Sequence, residues 1–223
     1  MRLVAGGETD SVTCAISDLA ATRRPIDFGR YASLHRDGRE LIRGWLERAA
    51  RRRPGGPDFE SFIYLWIAFN GWAACVTGKD ADREWQRALV ADPDLNNRFV
   101  RLVAESTTRT AEAARRFSAL WPIFRVAELR ERQIEYWASD QRDRATMMRA
   151  YIEAGAYKFE PPCYRAHEEQ PPLDWGHTLA ALYRVRCNLF HGEKARSSEN
   201  DQTVVAAAYA TLLAFAEEAE LLD

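Results

Sequence analysis

Apolar residues recur along this chain at three- and four-residue intervals, and no stretch alternates apolar and polar positions as a half-buried strand would. The pattern predicts an all-α fold. From about Gly29 to Arg53, Tyr31, Leu34, Leu41, Ile42, Trp45 and Leu46 give a first helix its apolar side, and PGGPD at 54–58 breaks it. Asp58 is placed to cap a second helix running to about Thr77, where Gly78 supplies a stop. This helix is apolar nearly all round, so it should be central. Residues 79 to about 155 read as shorter amphipathic helices, rich in Arg and Glu and punctuated by Asp92-Pro93 and Trp121-Pro122, which suits an outer wall. YKFEPPCYRAHEEQPPLD at 157–174, with two Pro-Pro pairs, excludes regular helix and reads as a long connection. Asp174 then caps a third main helix that ends near His191-Gly192, and EKARSSEN is a polar loop. The last helix, from about Asp201 to Leu221, carries Val204, Val205, Ala208, Leu212, Phe215 and Ala219 at helical spacing.

Two polar groups interrupt apolar faces. At 100° per residue, Leu179, Leu182, Tyr183, Leu189 and Phe190 fall on one stripe of the third helix, with Arg186 at its centre. On the second helix, Phe59, Ile63, Trp66, Ile67, Ala73 and Ala74 share a side centred on Asn70. A buried charge must be paired, or must line a cleft that water or an anion enters. The economical expectation is that the two helices meet and the Asn70 amide oxygen accepts from Arg186. A further row, His177, Arg184 and His191, recurs every seven residues about 140° away.

Composition changes this picture little. A formal net charge of −2 gives no global attraction to nucleic acid or an acidic membrane, so a basic site must be local. The cations are almost all arginine, 28 against 3 lysines, and arginine is the better fork for phosphate, although a GC-rich genome produces the same bias. Cys14, Cys75, Cys163 and Cys187 form no C-x-x-C pair, and the opening MRLVAGGETD has no apolar signal core, which points to the cytoplasm. The run FIYLWIAFNGWAACV at 62–76 is shorter than the ~20 residues a bilayer needs and carries Asn70, so no membrane is expected as a partner.

Arg186-Cys187-Asn188-Leu189-Phe190-His191-Gly192 resembles the R-x(4-6)-H motif of the HEPN superfamily, and FIYLWIAFNGW resembles the second-helix segment of its larger bacterial members. The resemblance covers about 29–78 and 174–221. It implies a single helical bundle over 1–223, with core helices at about 29–53, 58–77, 174–191 and 201–221 and a helical insertion over about 79–173. It also implies a homodimer in which the two motifs face one cleft. Many members are metal-independent endoribonucleases acting as toxins or anti-phage effectors, and others bind nucleotides or protein partners without cleaving. Carried onto this chain, the catalytic pair is Arg186 and His191, with no metal and no cofactor. The position after the arginine is commonly polar, often asparagine; here it is Cys187, with Asn188 one place later. Arg184 also satisfies the spacing, so either arginine can be the acting one.

The chemistry suits these residue types. Metal-free RNA cleavage needs a base for the ribose 2′-proton, an acid for the leaving 5′-oxygen and a cation for the phosphorane charge. Histidine supplies the first two and arginine the third. One histidine per chain supplies both base and acid only when two chains share the cleft. Asn70, Asn188 and Arg184 are supporting candidates, and Arg51, Arg52 and Arg53 are weak candidates for RNA backbone contact. Arg115-Arg116 and Arg142/Arg144 read as solvated faces, His35 and His177 as surface or capping residues, and His167-Glu168-Glu169 as a solvated turn. No H-E-x-x-H, glycine-rich phosphate loop or G-x-S-x-G occurs. RNA, a second copy of the chain and a cognate antitoxin or defence partner are the expected partners. A non-catalytic bundle binding a nucleotide or a protein is the alternative.

Overall fold

The fold is all-α, with one short two-stranded ladder. The computed structural model describes residues 26–51, 59–133, 144–165, 170–192 and 198–222. The elements are α1 (Gly29–Ala32), α2 (Arg36–Ala50), α3 (Phe59–Thr77), α4 (Asp82–Val90), α5 (Pro93–Ala104), α6 (Arg109–Ser118), β1 (Ile123–Phe124), α7 (Val126–Glu131), α8 (Arg144–Glu153), β2 (Phe159–Glu160), α9 (Trp175–Phe190) and α10 (Glu199–Glu218).

The first predicted helix is two. Ser33 closes α1, and His35 caps α2, its ring Nδ1 accepting from the Asp37 N–H at 3.4 Å. The histidine ring offers the backbone a local partner that a continuing helix would not, so the chain turns there. Tyr31 and Ile42 are buried as the apolar side requires, but Leu41 is 63% exposed. Asp58 lies outside the described residues. Gly78 adopts φ +63°, the left-handed stop its position suggested.

α3 is the centre. It is long and apolar enough to cross a membrane by length and composition, and 56% of that window is buried inside the protein. The core run is therefore longer than a reading of 62–76 alone implies. α2 and α10 pack along it, and its rings reach α4 and α9. Trp66 touches Phe62, Phe69, Trp85 and Tyr183, while Phe69 touches Trp72, Trp85 and Trp175. Phe99 of α5 continues the cluster through Trp175 to Phe215. The stretch after Gly78 is thus more than a wall, because Trp85, Leu89, Leu95, Phe99 and Phe117 sit fully inside the main core.

Polar groups set the helix ends. Asp92 caps α5 through the Leu95 N–H at 2.7 Å, and Thr108 caps α6 through that of Ala111. Glu218 accepts from the backbone N–H groups of Arg109 and Thr110 and from the Thr110 hydroxyl, tying the end of α10 to the start of α6. Ser198 caps α10, which begins two residues before the predicted start. The ladder was not foreseen. β1 and β2 pair antiparallel, Ile123 opposite Glu160 and Phe124 opposite Phe159, and a second small core of Phe124, Leu129, Met148, Tyr151 and Ala156 lies beside them. Two-residue strands are too short to show a period, which is why the pattern conceals them.

Asp174 caps α9 as predicted, accepting from the His177 N–H at 2.9 Å, with the His177 ring Nδ1 2.8 Å from its carboxylate. His177 is itself buried, so it is a capping residue and not a surface one. Burial pushes the Asp174 carboxyl up, but the His177 hydrogen bonds outweigh it and hold the carboxyl below its usual range. A lowered folded value means stabilisation present above the unfolded value, about 3.9, and lost as pH falls through the folded one. Asp174→Asn, which can still cap, should cost about 1–2 kcal/mol at pH 7. Urea unfolding of both proteins from pH 7 to pH 3 should show the gap closing at acid pH; a constant gap would remove the charge from the explanation.

Candidate functional site

The motif occupies the last turns of α9, and each polar member meets a different neighbour. Arg186 lies between two rings, its guanidinium carbon 5.7 Å from the Tyr183 centroid and 4.6 Å from that of Phe190. It is 3.5 Å from the Asp82 carboxylate of α4, which also accepts from the Tyr183 hydroxyl at 3.4 Å. The Arg186 side chain keeps 24% exposure, and Phe190 is 47% exposed. Burial, then Cys187 and Asp82, push the Tyr183 hydroxyl up against the opposing pull of Arg186, so it remains a neutral donor.

The expected bond from Arg186 to Asn70 is not made. Asn70 Oδ1 is buried with no hydrogen-bond partner among the described residues, as is Arg186 Nε. The helical wheels located both polar groups correctly on their faces but could not show that α4, which follows α3 by a short turn, brings a carboxylate to Arg186 first. An ionised partner offers a guanidinium more than a neutral amide does.

The opposite flank of α9 meets the two-stranded ladder. Arg184 reaches Glu160 of β2 at 3.5 Å. Burial pushes the Glu160 carboxyl above its usual range although Arg184 opposes it. One turn on, the buried Asn188 amide donates to the Phe124 carbonyl at 2.7 Å and accepts from the Val126 N–H at 3.5 Å. Asn188 is thus a clamp on the ladder. Neither Glu160 nor Asp82 is marked in the sequence by spacing or by neighbours, so only the fold identifies them.

His191 closes α9, its backbone N–H bonding to the Cys187 carbonyl and its ring exposed, with Gly192 following at φ +69°. By helical rotation it shares a side with Arg184 and lies about 140° from Arg186. The arrangement offers solvent an imidazole at a helix end, with one guanidinium on each flank, both paired to carboxylates. Among the described residues no group of three or more His, Cys, Asp or Glu is placed to hold a metal ion.

The remaining candidates are elsewhere. Arg51 is exposed at the end of α2 and lines a groove of about 1080 Å³ with Ala49, Ala113, Arg116 and Ala210, none of them from α9. Arg115 donates to the Val103 carbonyl and Arg116 pairs with Glu112, as exposed-face residues do. Arg52, Arg53, Arg142 and His167-Glu168-Glu169 lie outside the described residues, as does the side chain of Arg144. Comparison with protein-family models, with curated proteins and with solved structures finds no match to this chain.

Asn188→Ala should lower stability by about 2 kcal/mol, because it strands a buried carbonyl and a buried N–H. Hydrogen exchange should report the loss at Val126 and along β1 before the α3 core responds. Uniform loss of protection across the molecule would show that Asn188 supports the whole bundle and not the ladder alone.

Proposed function

We propose that this chain is a metal-independent endoribonuclease of the kind the HEPN-like motif implies, working in the cytoplasm as a homodimer and serving as a toxin or anti-phage effector. The observation that carries the reading is the solvent end of α9, where His191 is exposed and the Arg186 guanidinium carbon lies over the rings of Tyr183 and Phe190. In the reaction, the ribose 2′-oxygen attacks the adjacent phosphorus while one His191 takes its proton. The bond from phosphorus to the 5′-oxygen breaks, and the partner subunit's His191 protonates the leaving oxygen. Arg186 steadies the charge on the phosphorane oxygens. Because Arg186 and His191 of one chain lie on different sides of α9, a cleft shared by two chains supplies the convergence that a single helix does not.

A second reading has its own support. Both arginines are already paired, Arg184 with Glu160 and Arg186 with Asp82, which also suits a bundle that uses them structurally and binds a nucleotide or a protein partner.

His191→Ala should abolish cleavage of RNA with no change in thermal unfolding, since the ring is exposed. Arg186→Ala should abolish it too, and also lower stability by leaving Asp82 with one partner fewer. Products should carry 2′,3′-cyclic phosphate and 5′-hydroxyl ends, and EDTA should leave the rate unchanged. RNA with a 2′-deoxy residue at the scissile site should resist. Arg184→Ala distinguishes the two arginines, and light scattering at micromolar concentration should give a dimer mass. Full activity in His191→Ala, or a requirement for added Mg²⁺, would leave the binding reading in front.

A further inference from the structure

One face of α10 stays open among the described residues. Over 203–217, Ala206, Ala210, Leu213 and Glu217 recur three and four residues apart and line the groove of about 1080 Å³, with the end of α2 and the length of α6 as its walls. Four turns of helix run about 21 Å. Ala206, Ala210 and Leu213 are partly exposed, whereas the opposite side of α10, with Val204, Val205, Ala208, Leu212 and Phe215, is buried in the core. A floor of small side chains between two walls admits the larger side chains of one more helix at close approach, as when an amphipathic helix lies in a groove.

The connectivity points to the occupant. The described chain starts at Ile26, at the C-terminal end of α10: the Arg98 guanidinium lies 5.4 Å from the Phe28 centroid and donates to the Ala219 carbonyl, and the Tyr31 hydroxyl donates to the Leu222 carbonyl. Residues 21–25 can span up to about 17 Å, which brings 10–20 within reach of the Glu217 end of the groove. In that segment Val12, Ala15, Ile16, Leu19 and Ala20 fall on one side of a helical wheel, and Asp10, Cys14 and Asp18 fall outside it. As a helix it is about 16 Å long, within the length of the groove. Arg23 and Arg24 follow in the connection. At the groove end they approach, Glu217 and Glu218 share the single guanidinium of Arg109, at 2.6 and 3.5 Å, so a further arginine can pair there. The stretches 52–58 and 193–197, RRPGGPD and EKARS, also lie close in sequence to α2 and α10 but carry no large apolar side chain.

We infer that segment 10–20 docks as a helix in the groove between α2, α6 and α10 of its own chain, with Val12, Ile16 and Leu19 on the small-residue floor and Arg23 toward Glu217. The surface is thus a seat for an amphipathic helix. It stands apart from the α9 site and does not depend on the nuclease reading.

Hydrogen exchange read by mass spectrometry on the full chain tests this. The amides of 10–20 should be protected in the wild type and unprotected in the double variant Ile16→Asp/Leu19→Asp. From the other side of the contact, Ala210→Glu should abolish the same protection and Ala210→Ser should keep it. Ala210 is partly exposed in mid-helix, where glutamate is a good helix former, and the α3 amides report whether the bundle stays folded. Ala206→Glu, one turn earlier on the floor, should repeat the result. Unprotected 10–20 amides in the wild type overturn the docking. Protection that survives both glutamates puts the segment elsewhere and overturns it as well. Protection that is lost on dilution means that a second copy's segment fills the groove, which overturns the assignment to the chain's own.

Discussion

A helix as apolar as α3 has to be enclosed over much of its surface, and that condition shapes the rest of the chain. Trp66 and Phe69 sit at the junction of rings from α4 and α9, and Trp175 carries the cluster on to α5 and α10. Burying each such ring is worth about 1.5–3 kcal/mol, and a well-placed ring pair adds about 0.5–1.5. The cluster gives some of this back, because the indole N–H groups of Trp66, Trp85 and Trp175 are buried without a partner among the described residues. Each of those omissions costs about 1–3 kcal/mol. The arrangement has therefore settled ring packing ahead of indole hydrogen bonding. It also accounts for the core residues of α4, which packs directly on α3.

The same enclosure decides how α9 can present charge. One flank of the helix packs toward α3 and α4, where Tyr183 and Arg186 share the Asp82 carboxylate. The other carries Arg184 and Asn188 into the two-stranded ladder. A guanidinium on a packed helix must be paired or hydrated, and the carboxylates that answer these two arginines come from α4 and β2, near the two ends of the stretch between α3 and α9. The stretch from 79 to 173 and α9 are thus linked by charge satisfaction as well as by packing.

Much of this was legible in the pattern and some could not be. The centrality of α3, the stop at Gly78, the Asp174 cap and the end of α9 at His191-Gly192 follow from local rules, since each depends on residues within one turn of one another. The anomalous Arg186 and Asn70 were also visible, because a polar group mid-stripe is a local fact. Their partners were not. Asp82 meets Arg186 across about a hundred residues and Glu160 meets Arg184 across a ladder too short to have a period, so no window of sequence contains either pair. The break at Ser33-Leu34-His35 is hidden for a different reason: apolar spacing continues through it, while Ser33 closes α1 and the His35 ring caps α2.

The Asp82 contact uses only part of what the Arg186 guanidinium can offer. A guanidinium carries five N–H donors in one plane, and the contact to Asp82 is a single one at 3.5 Å. Its carbon also lies over the rings of Tyr183 and Phe190, 5.7 and 4.6 Å from their centroids, contacts that use none of those donors. What the surroundings remove is freedom of rotation, and an arginine so restrained loses less entropy on meeting an anion than one swinging in solvent. Asp82 comes from α4 and Tyr183 from α9 itself, and Phe190 is 47% exposed. The pairing therefore restrains Arg186 through one contact, and its side chain keeps 24% exposure.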